Sequence, residues 1–285
     1  MRVEDARGRA ARHAAEQALI RVVEHYGECP EFVVLGGLVP ELLCAHSDAL
    51  HAGTTDIDVQ ANLEIACGSV NALRLEQSLR QAAFVPDGER IWRWAWTDGQ
   101  GRAGVKFELL ADLDDVPAGS EVAFDNCEQL GAANLRGTRF ASEDFEVHQL
   151  QSRTGGAGHR VEVRFCGLAG FLLAKCVAAH RRGLPKDWYD IAFVLLHNDA
   201  GGPADAARAV HRRFSADLPA VTSAIEDLAA NFADEHAQGA LAYADQMAID
   251  HPETDRATAL ADAVTAVSEF RDQLQPHGSA GSMAS

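Results

Sequence analysis

Hydrophobic periodicity changes once along the chain, at Gly167, and this change constrains the fold more than any other feature of the sequence. Before Gly167, short apolar runs alternate with polar positions at the two-residue period of strands. After it, apolar residues recur at helical spacing in the ranges 168–182, 187–197, 203–214, 217–232, 234–248 and 254–274. The sequence therefore predicts an α/β (α+β) region with a mixed sheet, followed by an all-helical region.

The region before Gly167 contains both kinds of element. Strands are predicted at 31–37, 56–63, 91–96, 103–113, 121–125, 145–150 and 159–165, and helices at 4–26, 38–46 and 68–83. No repeat or low-complexity linker separates the two regions, which favours two lobes packed together, residues 1–165 and 166–275. The tail 276–285 consists of small and polar residues, and we expect it to be disordered.

Charge and composition narrow the classes of function. The net charge of −17 argues against non-specific DNA binding, which needs a basic surface. Apolar runs long enough for a membrane span or a leader peptide are lacking, so we expect a cytoplasmic protein with no membrane partner. The cysteines and histidines show none of the spacings of a zinc site, which argues against a zinc enzyme.

Two carboxylates, Asp56 and Asp58, occupy alternate positions of a predicted strand. Side chains two apart point to one face, so these carboxylates lie side by side while Ile57 and Val59 face the core. Neighbouring like charges repel unless a cation lies between them. Mg²⁺ prefers oxygen ligands and leaves part of its shell to phosphates, so the pair suits a magnesium site.

The context of this pair distinguishes it from a second Asp-x-Asp. Asp112 and Asp114 run into a turn, which favours a solvated surface position. Asp56 and Asp58 instead follow a strand, the pair Gly36-Gly37 and a predicted helix. The N–H groups at a helix start can receive a triphosphate, although a tight turn alone also explains two glycines.

Lysine is scarce in this chain, which has 22 arginines and three lysines. One of them, Lys175, falls inside the apolar stripe of the helix 168–182. Burying an unpaired ammonium is costly, so Lys175 must reach water, pair with an acid or bind an anion. Asp190, on the next helix, is the better candidate partner, because Asp187 is explained by an N-cap or first-turn role.

Several of these motifs together resemble a known superfamily. VVLGGLVPELL followed by GTTDIDV is similar to the signature of the DNA polymerase β-like nucleotidyltransferases, and within them to the AbiEii-type toxins of type IV toxin–antitoxin systems. The resemblance spans roughly residues 31–197. It implies that Gly36, Gly37 and Thr55 contact the nucleotide.

The resemblance also implies a third carboxylate on a later strand. Glu108 matches that position in GVKFELLADL, although the family more often has Asp there, and Asp112 is the alternative. Lys175 and Asp190 match the family's lysine and Asp-rich helix start, and Lys186 stands where the family commonly has Arg or Lys.

The hypothesis is therefore Mg²⁺-dependent transfer of an NMP from an NTP to an acceptor hydroxyl. Asp56, Asp58 and Glu108 would hold metal, Lys175 would neutralise the triphosphate, and Asp190 would orient Lys175. The resemblance implies tRNA or a protein as acceptor and a cognate antitoxin as partner. Two alternatives stay open: a degenerate nucleotide- or partner-binding protein, and a small-molecule nucleotidyltransferase of the aminoglycoside-modifying kind.

Overall fold

The protein has a mixed α/β fold with an open mixed sheet and many helices. The computed structural model describes residues 9–54, 56–60, 72–97, 103–152 and 160–275. Within these ranges, none of the helices has the length and hydrophobicity that a membrane span requires.

The sheet contains nine strands in the described ranges. They are β1 (Val33–Leu35), β2 (Asp56–Gln60), β3 (Phe84–Pro86), β4 (Arg93–Thr97), β5 (Ala103–Ala111), β6 (Glu121–Ala123), β7 (Gly131–Asn134), β8 (Phe145–Gln151) and β9 (Arg160–Cys166). Their main order is β3-β4-β5-β2-β1-β9-β8, and β7 joins both β5 and β6. Parallel pairing links β2 to β5, β1 to β9 and β5 to β7, and the other pairs are antiparallel.

The helices follow the two regions expected from the sequence. They are α1 (Arg9–Tyr26), α2 (Pro40–Leu43), α3 (Ala72–Gln81), α4 (Arg139–Glu143), α5 (Leu168–Arg182), α6 (Pro185–His197), α7 (Pro203–Phe214), α8 (Leu218–Ala230), α9 (Gln238–Asp250) and α10 (Arg256–Leu274). A short 3₁₀ helix, Gly36–Leu38, connects β1 to α2.

One face of the sheet is covered by α1 and α3, which pack on each other. Ile57, Trp94 and Phe107 are fully buried, and their positions pair across β2, β5 and β4. The guanidinium of Arg80, on α3, lies 5.3 Å from the Trp94 ring. These residues form the apolar side of the sheet, so the alternate positions of the same strands point to the opposite face.

The helices after Gly167 pack among themselves and on the short helix α4. Contacts link α5 to α4, α6, α7 and α8, while α6 also packs against α9 and α10. Residues Trp188 to Leu195 of α6 are all buried. A single contiguous cluster of buried apolar residues includes members of both the sheet region and the helical region.

The helices after Gly167 match the predictions closely, with α5 and α7 at the predicted bounds. The elements around the glycine pair are shorter than expected. The strand predicted at 31–37 ends at Leu35, because Gly36 adopts a left-handed φ of +77°, and the helix predicted at 38–46 shrinks to α2. The strands β3 and β7 and the helix α4 were not predicted. The described residues do not include residues 4–8 of the first predicted helix, 61–63 of the strand predicted at 56–63, 68–71 of the helix predicted at 68–83, or the tail 276–285 that was predicted to be disordered.

Candidate functional site

A cavity of about 910 Å³ lies between the polar face of the sheet and the helices α5 and α6. Residues from both regions of the chain line it. The predicted site residues found in its lining are Gly36, Gly37, Asp56, Asp58, Glu108, Lys175 and Asp190. Thr55, also predicted to contact nucleotide, lies outside the described residues.

Three of the four carboxylates that line the cavity come from two neighbouring parallel strands. On β2, Asp56 and Asp58 alternate with Ile57 and Val59, which are fully buried in the core, as predicted. On β5, the position of Glu108 pairs with that of Asp58, and that of Lys106 pairs with that of Asp56. The period of the strands thus brings three carboxylates and one ammonium onto one face.

Each of these carboxylates makes ionisation of its neighbours less favourable. Burial, and then the charge of Asp56, raise the pKa of Asp58 above its ordinary value. Burial and the charge of Asp58 raise the pKa of Glu108 to about 7, although Arg93 opposes this shift. A divalent cation at this position would relieve the repulsion.

Gly36 and Gly37 are required by the packing of the strand that carries the carboxylates. A Cβ at Gly36 would overlap the Asp58 carboxylate and lie 3.0 Å from its Cγ, and a Cβ at Gly37 would lie 2.7 Å from Thr54 Cβ. The glycine turn therefore sits directly against Asp58. Asp58 and Thr54 fill the space that side chains at these two positions would need.

Asp56 and Asp58 by themselves are better placed to bind Mg²⁺ than the predicted set of three, which also includes Glu108. The buried Oδ1 of Asp56 accepts no hydrogen bond, and its nearest cation, Lys106 Nζ, is 3.4 Å away. Glu108 is already bound by Arg93, through Nε at 2.7 Å and Nη2 at 2.6 Å. Among the described residues, no three His, Cys, Asp or Glu side chains form a ready metal site. Mg²⁺ commonly takes one or two carboxylates and completes its shell with phosphates and water.

Asp112, the alternative third carboxylate, lies elsewhere. Its side chain is buried and accepts hydrogen bonds from the backbone N–H groups of Gly137 at 2.7 Å and Arg139 at 3.3 Å. It does not line the cavity. The expectation of a solvated turn holds for Asp114, which is 99% exposed, and is wrong for Asp112, which holds the start of α4.

Lys175 is buried on α5 and is paired with acidic side chains. This is one of the outcomes expected for a lysine inside an apolar stripe. Its Nζ lies 2.6 Å from Asp190 Oδ2 and 3.1 Å from Asp187 Oδ1. Burial by itself lowers the pKa of Lys175, but Asp190 and Asp187 outweigh this effect, and the pKa lies above its ordinary value. The ammonium is therefore charged and neutralised by two carboxylates.

Asp187 has a second cation besides Lys175. It lies in the first turn of α6, as expected. The N-cap position, however, is Leu184, and no side chain caps the helix there. The Asp187 carboxylate instead accepts hydrogen bonds from Arg182 Nε at 2.6 Å and Nη2 at 2.7 Å. The interpretation as a cap was wrong, because tertiary contacts with α5 use both oxygens.

His51 supports the site from the loop before β2, although no sequence motif singled it out. It is buried, and its Nε2 lies 2.9 Å from Asp190 Oδ1. Its Nδ1 accepts a hydrogen bond from Gly53 N–H at 3.3 Å, so Nε2 carries the proton and donates to Asp190. The hydroxyl of Tyr189 also accepts the Ala52 N–H at 3.1 Å. The loop before β2 is thus tied to α6 by two bonds.

The cavity is basic although the chain is acidic. Seven basic and four acidic side chains line it, whereas the whole chain has 25 basic and 42 acidic residues. All three lysines of the sequence, Lys106, Lys175 and Lys186, are among them. Such a concentration of cations beside a carboxylate pair suits an anionic ligand that carries a metal ion, such as a nucleoside triphosphate.

No family model, curated protein or solved structure matches the chain.

Proposed function

We propose that the protein is a Mg²⁺-dependent nucleotidyltransferase that moves an NMP from an NTP to an acceptor hydroxyl. The observation that carries this proposal is the shared cavity, which joins the strand-borne pair Asp56 and Asp58 to all three lysines of an acidic chain. Cations that neutralise phosphates beside carboxylates that bind a metal are what phosphoryl transfer needs.

Asp56 and Asp58 would hold Mg²⁺, which when bound polarises the phosphates and neutralises charge that develops on them. The glycine turn at Gly36 and Gly37 lines the cavity beside Asp58, so its backbone is available to those phosphates. The acceptor oxygen bonds to the α-phosphorus, and the bond from that phosphorus to the bridging oxygen breaks. Pyrophosphate leaves with the bonding electrons.

Glu108 is the group best suited to take the proton of the acceptor hydroxyl. Burial, the largest cause, raises the pKa of Glu108 above its ordinary value, which favours acceptance of a proton near neutral pH. Arg93 holds one oxygen of this carboxylate, because its Nε donates a hydrogen bond to Oε1 at 2.7 Å and its Nη2 lies 2.6 Å from the same oxygen. The metal-ligand role expected from the sequence stays a prediction for Glu108 beside this proposed role as base.

The acceptor and partner follow from the resemblance to AbiEii-type toxins. We propose a toxin-like enzyme that acts on tRNA or on a protein side chain and is silenced by a cognate antitoxin. A polycationic acceptor of the aminoglycoside kind suits the cavity less well, since more basic than acidic side chains line it.

One observation favours a second candidate, a protein that binds nucleotide without transferring it. Lys106 lies 3.4 Å from Asp56, and Arg93 lies 2.6 Å from Glu108. Internal cations thus already compensate two of the three carboxylates. Such a protein would be stabilised by an NTP and would release no pyrophosphate.

The test supplies each α-labelled NTP with Mg²⁺, bulk tRNA and cell lysate, and follows the label into RNA, protein and small molecules. Asp56→Ala is expected to lose transfer by orders of magnitude. The matched control is Asp114→Ala, which removes an exposed aspartate of the second Asp-x-Asp. Equal activity in Asp56→Ala and the wild type would overturn the proposal, and NTP binding without any transfer would support the second candidate.

A further inference from the structure

Five of the seven basic side chains that line the cavity are bonded to carboxylates. These ion pairs are Arg93 with Glu108 at 2.6 Å, Lys106 with Asp56 at 3.4 Å, Arg136 with Asp112 at 3.3 Å, Lys175 with Asp190 at 2.6 Å and Arg182 with Asp187 at 2.6 Å. Their charges are largely compensated within the protein. They hold the walls of the cavity together.

The other two, Arg181 and Lys186, form no ion pair with any described residue. They flank the turn between two helices: Arg181 lies in the last turn of α5 and Lys186 in the first turn of α6. Gly183, with a left-handed φ of +57°, ends α5 and lets the chain reverse there. The turn therefore presents to the same cavity two cations that no described carboxylate pairs with.

Nothing in the local structure of α6 accounts for Lys186. A cation in the first turn of a helix opposes the positive end of the helix dipole and is unfavourable there. Lysine is also rare in this chain, and the other two lysines are paired with carboxylates. Lys186 lines the same cavity as Asp56 and Asp58, the proposed metal pair.

We propose that Arg181 and Lys186 form the subsite that binds the triphosphate of the NTP, and that Lys175 only positions α6. This inference rests on the proposed function, and it moves the phosphate-binding role away from Lys175. Two carboxylates already neutralise the ammonium of Lys175 at 2.6 and 3.1 Å. Charge-assisted hydrogen bonds from a guanidinium and an ammonium are strong contacts for phosphate oxygens.

The probe for this subsite is inorganic tripolyphosphate with Mg²⁺, which carries the phosphates shared by all NTPs and no base. Binding is measured by calorimetry for the wild type, Lys186→Gln and Arg181→Gln. Each variant is expected to weaken binding roughly tenfold or more, and Lys186→Arg is expected to retain most of it. The matched control is Arg212→Gln, which removes an exposed arginine of α7 outside the cavity.

Unchanged affinity in both Lys186→Gln and Arg181→Gln, or an equal loss in Arg212→Gln, would overturn the subsite. Because the two variants alter partly exposed side chains, their melting temperatures should match the wild type, which separates a binding defect from unfolding. Failure of the proposed function gives a different pattern. Tripolyphosphate binding would then depend on Lys186 and Arg181, although no NTP gave labelled product.

Discussion

Lys175, Asp187 and Asp190 are three charged side chains buried in the protein. Their burial is tolerated because the ammonium and the two carboxylates neutralise one another. Each carboxylate also has a second donor, Arg182 for Asp187 and His51 for Asp190. Burying such charges is costly, and removing one partner leaves the others uncompensated. The cluster joins α5, α6 and the loop that leads into β2, so its integrity determines where Asp56 and Asp58 lie.

Replacement of Lys175 by Met is therefore expected to destabilise the fold by about 3 kcal/mol or more, because both carboxylates lose a buried cation. Urea denaturation of the wild type and Lys175→Met measures this loss. Lys186→Gln serves as the control, since it removes a lysine that pairs with no carboxylate in the described ranges, and should lie within about 0.5 kcal/mol of the wild type. Equal stabilities of the Lys175 and Lys186 variants would contradict this account.

The raised pKa of Glu108 predicts how the stability of the fold depends on pH. Burial and Asp58 raise the pKa of Glu108 from 4.5 to about 7, so folding favours its protonated form. The contribution of Glu108 to the free energy of unfolding is thus highest at low pH and is lost as the pH rises from about 4.5 to 7. Between pH 5 and pH 8 the wild type should lose about 2–3 kcal/mol relative to Glu108→Gln.

Urea denaturation at pH 5 and at pH 8 checks this difference. Glu162→Gln, which alters an exposed glutamate of β9, should parallel the wild type at both pH values. If Glu108→Gln also followed the wild type, Glu108 would not carry a raised pKa. Its role as a proton acceptor near pH 7 would then lose its basis.

The sequence was sufficient to nominate the strand-borne residues of the site, because the two-residue period of β2 and β5 decides which side chains share a face. It also identified Lys175, because a lysine in an apolar stripe must be compensated. The environment of His51 could not be read in the same way. His51 is bound by Asp190, 139 residues further along the chain, and only the packing of α6 against the loop reveals the contact.

At the scale of elements, the turn between β1 and α2 is the most constrained part of the site. Gly36 must adopt a left-handed φ of +77° and leave room for Asp58. The sequence indicated a turn here but placed a longer helix after it. The short strands β3 and β7 were missed because segments of three or four residues carry too little alternation to be recognised.

Gly36→Ala should therefore destabilise the protein for two reasons, backbone strain and the collision of its Cβ with Asp58. Gly119→Ala measures the backbone strain alone, because Gly119 has a similar φ of +86° and open space around its Cβ position. We expect the Gly36 variant to be less stable by about 1–3 kcal/mol than the Gly119 variant, from overpacking. Thermal denaturation of both proteins measures the difference, and equal melting temperatures would show that Asp58 does not lie against the turn.

At the scale of the whole molecule, the distribution of charge is the main functional feature. The net charge is −17, yet the lining of the cavity has more basic than acidic side chains. Acidic outer surfaces repel polyanions, whereas a basic cavity retains a small anionic ligand. The sequence revealed the overall acidity and the scarcity of lysine. That the lysines converge on one cavity depends on the packing of β5, α5 and α6, which composition does not reveal.

Asp56 and Asp58 are expected to hold a divalent metal ion in this cavity. Anomalous diffraction from crystals grown with Mn²⁺ and tripolyphosphate would locate that ion, since Mn²⁺ accepts the same oxygen ligands as Mg²⁺. We expect an anomalous peak about 2.0–2.3 Å from an oxygen of each aspartate, and we expect Asp58→Asn to lose it. A Mn²⁺ peak that lies elsewhere, or that persists unchanged in Asp58→Asn, would show that the two aspartates do not form the metal site.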